Sequence, residues 1–187
     1  MQFTLPMLLG LVLVAQASES PFNRYSVFLD LASSPGGCSA ADTEHFRNRA
    51  YSFRGWRHTE TPLRLREGKA TELNVLGTPE WETDLVRQSV VEVGGRPAVM
   101  LRFLAIHTGG TGSWGTVLIG TCNERQLTVV FEAESLGLTD AAFTADEVLV
   151  VKRLVWTPSD AHCCPSGTAE ERYRWDPEAG RFVHATR

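Results

Sequence analysis

Residues 86–107 read VRQSVVEVGGRPAVMLRFLAIH, and this stretch decides the fold. Val86–Val93 is rich in valine, and Pro97–His107 carries large apolar residues at alternate positions from Val99 to Phe103. The Gly94-Gly95 pair between them is a hairpin signal, because both central positions of a tight turn can then take positive φ. The stretch therefore predicts two antiparallel strands joined by a short turn.

Further strand-like runs follow along the chain. They are Thr116–Cys122, Gln126–Glu132, Val148–Trp156, Glu170–Trp175 and Arg181–Val183. Short turns join neighbouring runs, which favours an antiparallel meander. No amphipathic helices of 10–15 residues alternate with the strands, so a parallel sheet is not expected. We predict a mainly β fold, with α+β as the alternative: an antiparallel meander sheet or small sandwich with one or two short helices, supported by disulfides.

The N-terminal half gives weaker local signals. Tyr25–Leu31 is strand-like, and the pattern Ser39-Ala-Ala-Asp42 predicts a helix capped by Ser39 that runs to about Asn48. Residues 55–80 are broken by Pro and Gly and are predicted as loops, with a strand near Leu63–Leu65. Further on, Thr139–Asp146 is predicted to form one helical turn.

Composition and charge restrict the classes of function. The chain has 187 residues, 43% of them hydrophobic and 21% charged, which suits one globular domain with its own core. The formal net charge is -4. Since a duplex-binding protein needs a clustered basic face, no nucleic-acid partner is expected.

The first 17 residues, MQFTLPMLLGLVLVAQA, predict an exported protein. The apolar run Leu5–Ala15 is followed by the small-x-small pattern Ala15-Gln16-Ala17, which is typical of a cleaved signal peptide. The run is shorter than the ~20 residues of a membrane span. Because no Lys or Arg precedes the run, an uncleaved N-terminal segment is the alternative. We expect a signal peptide at 1–17 cleaved near Ala17, a single mainly β domain at 18–187 with no membrane span, and a periplasmic or secreted location.

Export would place the four cysteines, Cys38, Cys122, Cys163 and Cys164, in an oxidising compartment where disulfides persist. Four cysteines allow three pairings. A vicinal Cys163–Cys164 bond with a Cys38–Cys122 bridge is the pairing we favour, and the crossed bridges stay open.

The segment Asp160-Ala-His162-Cys163-Cys164-Pro165 also contains metal-ligand residue types. Adjacent ligands do not easily reach two corners of a zinc tetrahedron, and the Asp/Asn repeats of a calcium loop are missing. An oxidised structural turn is therefore the favoured interpretation, and no metal or cofactor is predicted.

The loop Gly109–Gly115 is rich in glycine. It lacks the Gly-Lys-Ser/Thr ending of a P-loop and the Gly-x-Ser-x-Gly pattern of a serine hydrolase. The favoured interpretation is a wide hairpin loop in which Trp114 is a packing anchor. The alternative is a hydrolytic site in which His107 and Ser113 of this loop meet Asp160 and His162. That site requires the Gly-rich loop and the Cys-Cys-Pro turn to converge.

Several stretches together resemble an uncharacterised family of exported bacterial proteins. The resemblance rests on FRNRAYSF (46–53) with LRLREGKA (63–70), on HTGGTGSWGTVLIG (107–120), and on WTPSDAHCCPSGTAEERYRWD (156–176). It covers roughly residues 46–183. It implies an exported single-domain protein and no particular activity.

These observations favour a non-enzymatic binding or envelope-associated module, with an unknown ligand or envelope component as its partner. The alternative is a small secreted hydrolase with a site between the Gly-rich loop and the Cys-Cys-Pro turn. No catalytic residue is assigned, and the candidate functional residues are His107, Ser113, Trp114, Asp160 and His162.

Overall fold

The computed structural model describes residues 39–40, 42–53, 62–110, 113–123, 126–137, 140–161 and 164–185. This part of the chain is mainly antiparallel β with one short helix, which confirms the predicted fold class. Within it, no helix has both the length and the apolar character needed to cross a membrane.

The described residues form one helix and eleven strands. In chain order they are α1 (Thr43–Arg47), β1 (Ala50–Tyr51), β2 (Leu63–Arg64), β3 (Lys69–Leu73), β4 (Pro79–Val93), β5 (Arg96–His107), β6 (Ser113–Asn123), β7 (Gln126–Leu136), β8 (Asp140–Phe143), β9 (Leu149–Val155), β10 (Gly167–Asp176) and β11 (Arg181–His184).

The main sheet is a five-stranded meander in the order β3-β4-β5-β6-β7, antiparallel throughout. The predicted hairpin is its centre: Val93 pairs with Arg96 across Gly94 and Gly95, whose φ angles are 57° and 73°. A Cβ at Gly94 would lie 2.5 Å from Nε1 of Trp175, so both the turn and its neighbour require glycine there.

Strand β5 is buried on both faces of this sheet. Val99, Leu101 and Phe103 belong to one core cluster, whereas Ala98 and Met100 belong to the other. Because side chains alternate between faces along a strand, the continuous apolar run of β5 supplies both cores.

A second sheet, in the order β11-β10-β9-β8, covers one face of the meander. Leu149, Val151 and Phe182 of this sheet pack against Ile119 and Phe131 of the meander. The two sheets therefore form a small sandwich.

The opposite face carries a cap made of α1, the β1–β2 hairpin and Phe53. Phe46, Tyr51 and Leu65 of the cap are almost fully buried against the meander. The hydroxyl of Tyr51 donates to the carbonyl of Phe46 over 2.7 Å, which satisfies the polar end of this buried ring.

Three local predictions differ from the structure. The N-cap of α1 is Asp42, whose carboxylate accepts the N–H of His45 at 3.1 Å, so the prediction of Ser39 as cap was wrong. Asp140–Phe143 is a strand and not part of a helical turn, because it pairs with the edge of β9. Lys69–Leu73, predicted as loop, is the edge strand β3. The predicted strand Tyr25–Leu31 and the signal peptide lie outside the described residues.

Candidate functional site

One end of the sandwich brings together four segments that are distant in sequence. We call this the loop end: the β3–β4 turn, the β5–β6 loop, the end of β7 with Gly137, and the β9–β10 loop. The N–H of Thr108 donates to the carbonyl of Glu80 over 2.9 Å, which ties the β5–β6 loop to the start of β4. Gly137 donates to the carbonyl of Ser113 over 2.6 Å and lies against Leu154 of β9.

The candidate residues of the Gly-rich loop lie at this end in structural contacts. The ring of His107 meets the ring of Trp81 edge-on at 4.9 Å between centroids. Nε1 of Trp114 donates to Oε2 of Glu134 over 3.2 Å, and its ring is half-buried. Ser113 begins β6 opposite Ile106. Trp114 is thus tied to the neighbouring strand β7 by a side-chain hydrogen bond.

Asp160 organises the β9–β10 loop. Its Oδ2 accepts the N–H groups of Thr157 and Ser166 at 2.7 and 2.9 Å, and its Oδ1 accepts the Ser166 hydroxyl at 2.7 Å. These hydrogen bonds stabilise the carboxylate and hold the pKa of Asp160 well below its ordinary value of 3.8. The bond from the Thr157 N–H has the largest effect. The carboxylate thus closes the loop upon itself, while His162 lies outside the described residues.

Replacement of Asp160 with Asn is expected to loosen this loop. Asn keeps the size of the side chain but loses the charge that strengthens the three hydrogen bonds. Amide exchange at Thr157 and Ser166 should become several-fold faster, as measured by NMR. Because the pKa is lowered in the folded state, the stabilisation is present above about pH 3.8 and is lost as the pH falls through the folded pKa.

A matched control is Glu178→Gln, which removes an acid from the exposed β10–β11 turn at the other end of the sandwich. It should leave exchange at Thr157 and Ser166 unchanged. Equal exchange in Asp160→Asn and the wild type would refute the organising role of Asp160.

The loop end is also where apolar surface is exposed. Of the eight exposed large hydrophobic residues that the structure describes, six lie there: Leu73, Val75, Leu76, Ile106, Leu136 and Val155. Three tryptophans, Trp81, Trp114 and Trp156, are half-buried in the same region. Clustered apolar and tryptophan side chains at a surface mark interaction sites, whereas single exposed apolar residues are ordinary.

The β3–β4 turn is the most prominent part of this surface. Val75 is fully exposed and Leu76 is 83% exposed. Asn74 fixes the turn, because its side-chain oxygen accepts the N–H groups of Leu76 and Thr78 at 2.9 and 3.1 Å. The two aliphatic side chains are therefore presented on an ordered turn.

The strands that carry this turn are acidic. Residues 70–86 contain Glu72, Glu80, Glu82 and Asp84 and neither Lys nor Arg. Asp84 lies 3.7 Å from the ammonium of Lys69, whereas Glu80 and Glu82 are exposed. Acidic side chains therefore surround the protruding apolar turn.

A buried polar cluster in the cap escaped sequence reasoning. Arg49 is only 2% exposed, and its Nη1 lies 2.6 Å from Nε2 of His45. Burial lowers the pKa of Arg49 to about 10 and raises that of Tyr51. The pKa of His45 is lowered by burial and by the nearby Arg49 charge, so a neutral imidazole accepts from the guanidinium.

This cluster has a structural role in the cap. The backbone N–H of Leu65 donates to the carbonyl of Arg49 over 2.8 Å, and the backbone N–H of Glu67 donates to Oδ1 of Asn48 over 2.9 Å. The segments FRNRAYSF (46–53) and LRLREGKA (63–70) are thus neighbours in space. The local sequence carries no signal for the cluster, since burial of Arg49 depends on long-range packing.

The two cysteines that the structure describes lie at opposite ends of the sandwich. Cys122 is half-buried near the end of β6 and packs against the cap core that contains Ala40. Cys164 is exposed in the β9–β10 loop, at the loop end. Cys38 and Cys163 lie outside the described residues.

The described part of the chain contains no group of three or more His, Cys, Asp or Glu side chains that could hold a metal ion. A shallow cleft between the sheets is lined by Arg87, Met100, Arg102, Val117 and Ala141. Of its two arginines, Arg102 is paired with Asp140, with 3.3 Å between Nη1 and Oδ1. The loop end is therefore the stronger candidate for a functional surface.

Comparisons with family models, with curated proteins and with solved structures found no match to this chain.

Proposed function

We propose that the chain is an exported, non-enzymatic binding module whose binding surface is the loop end. The observation that carries the proposal is the gathering of six exposed hydrophobic residues and three half-buried tryptophans at one end of the sandwich. Export rests on the signal-like N-terminal residues, and the binding role rests on this surface.

The surface is suited to binding by its construction. Regular strands hold its loops, as they hold the binding loops of other β sandwiches. The Asn74 and Asp160 side chains fix two of the loops through hydrogen bonds to backbone N–H groups. Such preorganisation lowers the entropy that is lost when a partner binds.

The hydrolase alternative has less support among the described residues. Its acid, Asp160, is engaged with Thr157 and Ser166, and the ring of His107 packs on Trp81. A triad would instead need the carboxylate to orient the histidine and the histidine to meet the serine hydroxyl.

A thermal-shift screen tests the binding role. The panel contains soluble peptidoglycan fragments, phosphatidylglycerol vesicles and leucine-rich peptides. A ligand of the folded state at about 100 times its Kd should add about 2.7 kcal/mol of stability to the wild type. Leu76→Asp should abolish this shift, because a charge then occupies the centre of the exposed turn.

The matched control is Val86→Asp, which places the same charge at a residue 47% exposed on β4, away from the loop end. It should respond to the ligand as the wild type does. A ligand whose shift survives Leu76→Asp and disappears in Val86→Asp would place binding elsewhere and contradict the proposal.

A further inference from the structure

Two arginines lie opposite each other on neighbouring strands of the main sheet. Arg87 of β4 is the register partner of Arg102 of β5, so both side chains leave the sheet on the same face. This is the face that the second sheet covers, since Arg102 reaches Asp140 of β8. Like charges directly opposite each other destabilise a sheet, so the pair has a cost that an anion between the two guanidinium groups would offset.

A β-bulge in β4 puts Arg87 on this face. The register moves from Leu85–Phe103 to Arg87–Arg102, so that Val86 is the extra residue. In a regular strand residues 85 and 87 would share a face, and Leu85 packs in the core under the cap. Bulges re-aim side chains and are over-represented next to active sites. The irregularity of β4 therefore completes the arginine pair.

Both arginines line the shallow cleft between the sheets. Its other described lining residues, Met100, Val117 and Ala141, are apolar and buried. The volume of the cleft is about 190 Å³, including the part open to solvent, whereas typical ligand pockets begin near ~300 Å³. The cleft therefore suits a small ligand that combines a charged group with a short apolar part.

The charge at the cleft is compensated only in part. Among the described residues, the guanidinium of Arg102 has one hydrogen-bond partner, Asp140, at 3.3 Å. Arg87 is exposed and has no ion-pair partner in the described part of the chain. Other charged side chains that flank the cleft on these strands form two neutral pairs, Lys69–Asp84 and Lys152–Glu170. One positive charge at the cleft thus remains uncompensated.

We propose that the cleft binds the carboxylate of a small aliphatic acid between the guanidinium groups of Arg87 and Arg102. A monoanion neutralises the one uncompensated charge, whereas a phosphate dianion would leave the site negative. The planar carboxylate matches the planar fork of a guanidinium and can accept two parallel N–H bonds from it. The aliphatic part of the acid lies on the apolar floor.

This site is separate from the loop end. Four residues along β5 lead from Arg102 to Ile106 of the loop end, which is about 13 Å at ~3.3 Å per residue. A ligand of a few atoms does not span that distance. The acid site and the proposed binding surface can therefore fail independently in experiments.

Titration of the ¹⁵N-labelled full chain with sodium butyrate tests the site by NMR, with sodium chloride exchanged to keep the ionic strength constant. The side-chain Nε–H signals of Arg87 and Arg102 should shift with one common Kd. This Kd should be on the order of 1 mM, which is reasonable for a ligand of so few atoms. Butanol, which has the apolar part but no charge, should cause no saturable shift.

Arg87→Gln should weaken the binding of butyrate at least tenfold, because one of the two guanidinium groups is lost. The variant should fold, since Arg87 is exposed. Arg96→Gln is the matched control: Arg96 is also exposed, begins β5 and is not among the residues that line the cleft. It should bind butyrate as the wild type does.

Shifts that rise without saturation, an unchanged Kd in Arg87→Gln, or an equal loss in Arg96→Gln would each overturn the proposal. Inorganic phosphate and trialanine should bind more weakly than butyrate. Tighter binding of phosphate would assign the arginines to a phosphoryl group, and tighter binding of trialanine would assign them to a peptide C-terminus. Either result would overturn the assignment to a small aliphatic acid.

Discussion

Phe103→Ala is expected to lower the free energy of unfolding by about 3–5 kcal/mol, the cost typical of emptying a buried aromatic site. Phe103 is 1% exposed on the central strand β5. Its ring meets those of Tyr51 and Phe53 edge-on, with centroids 4.8 and 5.1 Å away. Removal of this ring would leave a cavity where the cap rests on the meander. Chemical denaturation followed by tryptophan fluorescence measures the loss.

The same substitution should loosen the cap before the rest of the domain. Amide exchange in β1 and β2 should accelerate more than exchange in β6. Phe131→Ala is the matched control, because Phe131 is also buried but belongs to the core between the two sheets. It should destabilise the domain without a preferential effect on the cap. A loss below about 1 kcal/mol for Phe103→Ala would show that the cap is held elsewhere.

The central sheet was predictable because its signals are local. The hairpin turn needs positive φ at Gly94 and Gly95, which these two residues announce themselves, and the apolar run around Val99 reports the burial of β5 directly. By contrast, β3 reads KATEL, a short and largely polar edge strand whose burial alternates only between exposed and partly buried. Such a strand forms because it can pair with the edge of β4. The Pro and Gly residues around it predict a loop instead.

Two residues near the start of α1 were candidates for its N-cap. Ser39 and Asp42 are both favourable N-cap residues. The structure uses Ser39 in a preceding turn, where its carbonyl accepts the N–H of Asp42 at 3.0 Å. The helix therefore begins three residues later than the capping-box pattern predicts, and only five residues are helical.

The candidate site was predictable only in part. Residues His107, Ser113 and Asp160 were singled out, and the structure places all three at the loop end or in its loops. The exposed turn of Val75 and Leu76 was not, because exposure depends on how far β3 and β4 extend beyond the sheet. A local sequence pattern contains no information about that extent.

The loop end and the cap use similar residues for different purposes. In the cap, Arg49 is buried, His45 is half-buried, and both lie against the ring of Phe46, so their chemistry serves packing. At the loop end, aromatic side chains stay half-buried while aliphatic ones project into solvent. This division is why we propose the loop end, and not the cap, as the binding surface.

Peptide mapping under non-reducing conditions is expected to find a Cys38–Cys122 bridge and a vicinal Cys163–Cys164 bond. Ala40, two residues after Cys38, shares a core cluster with Cys122. Cys164 follows β9, whose Leu154 lies against Gly137 at the loop end. Cys122 is eight residues along β6 from Trp114 of that end, which is about 26 Å at ~3.3 Å per residue. Since bonded cysteines keep their Cα atoms within about 7 Å, this separation disfavours the crossed bridges.

The two bonds should differ strongly in their effect on stability. The Cys38–Cys122 bridge closes a long loop, so loss of it in Cys122→Ser should lower the free energy of unfolding by about 4 kcal/mol through the unfolded chain. Cys38→Ser should cost the same, because the two residues would form one bond. The double variant Cys163→Ser/Cys164→Ser should cost far less, since a bond between adjacent residues restricts little of the unfolded chain.

The pairing and the stability measurements check each other. Should Cys122→Ser fold too poorly to measure, the map of the wild-type protein still decides the pairing. A peptide that joins Cys122 to Cys163 or Cys164 would contradict the prediction, and so would a double variant at 163 and 164 as unstable as Cys122→Ser. A bond from Cys122 to Cys163 or Cys164 would require the β9–β10 loop to reach the far end of β6, which would remove it from the proposed binding surface.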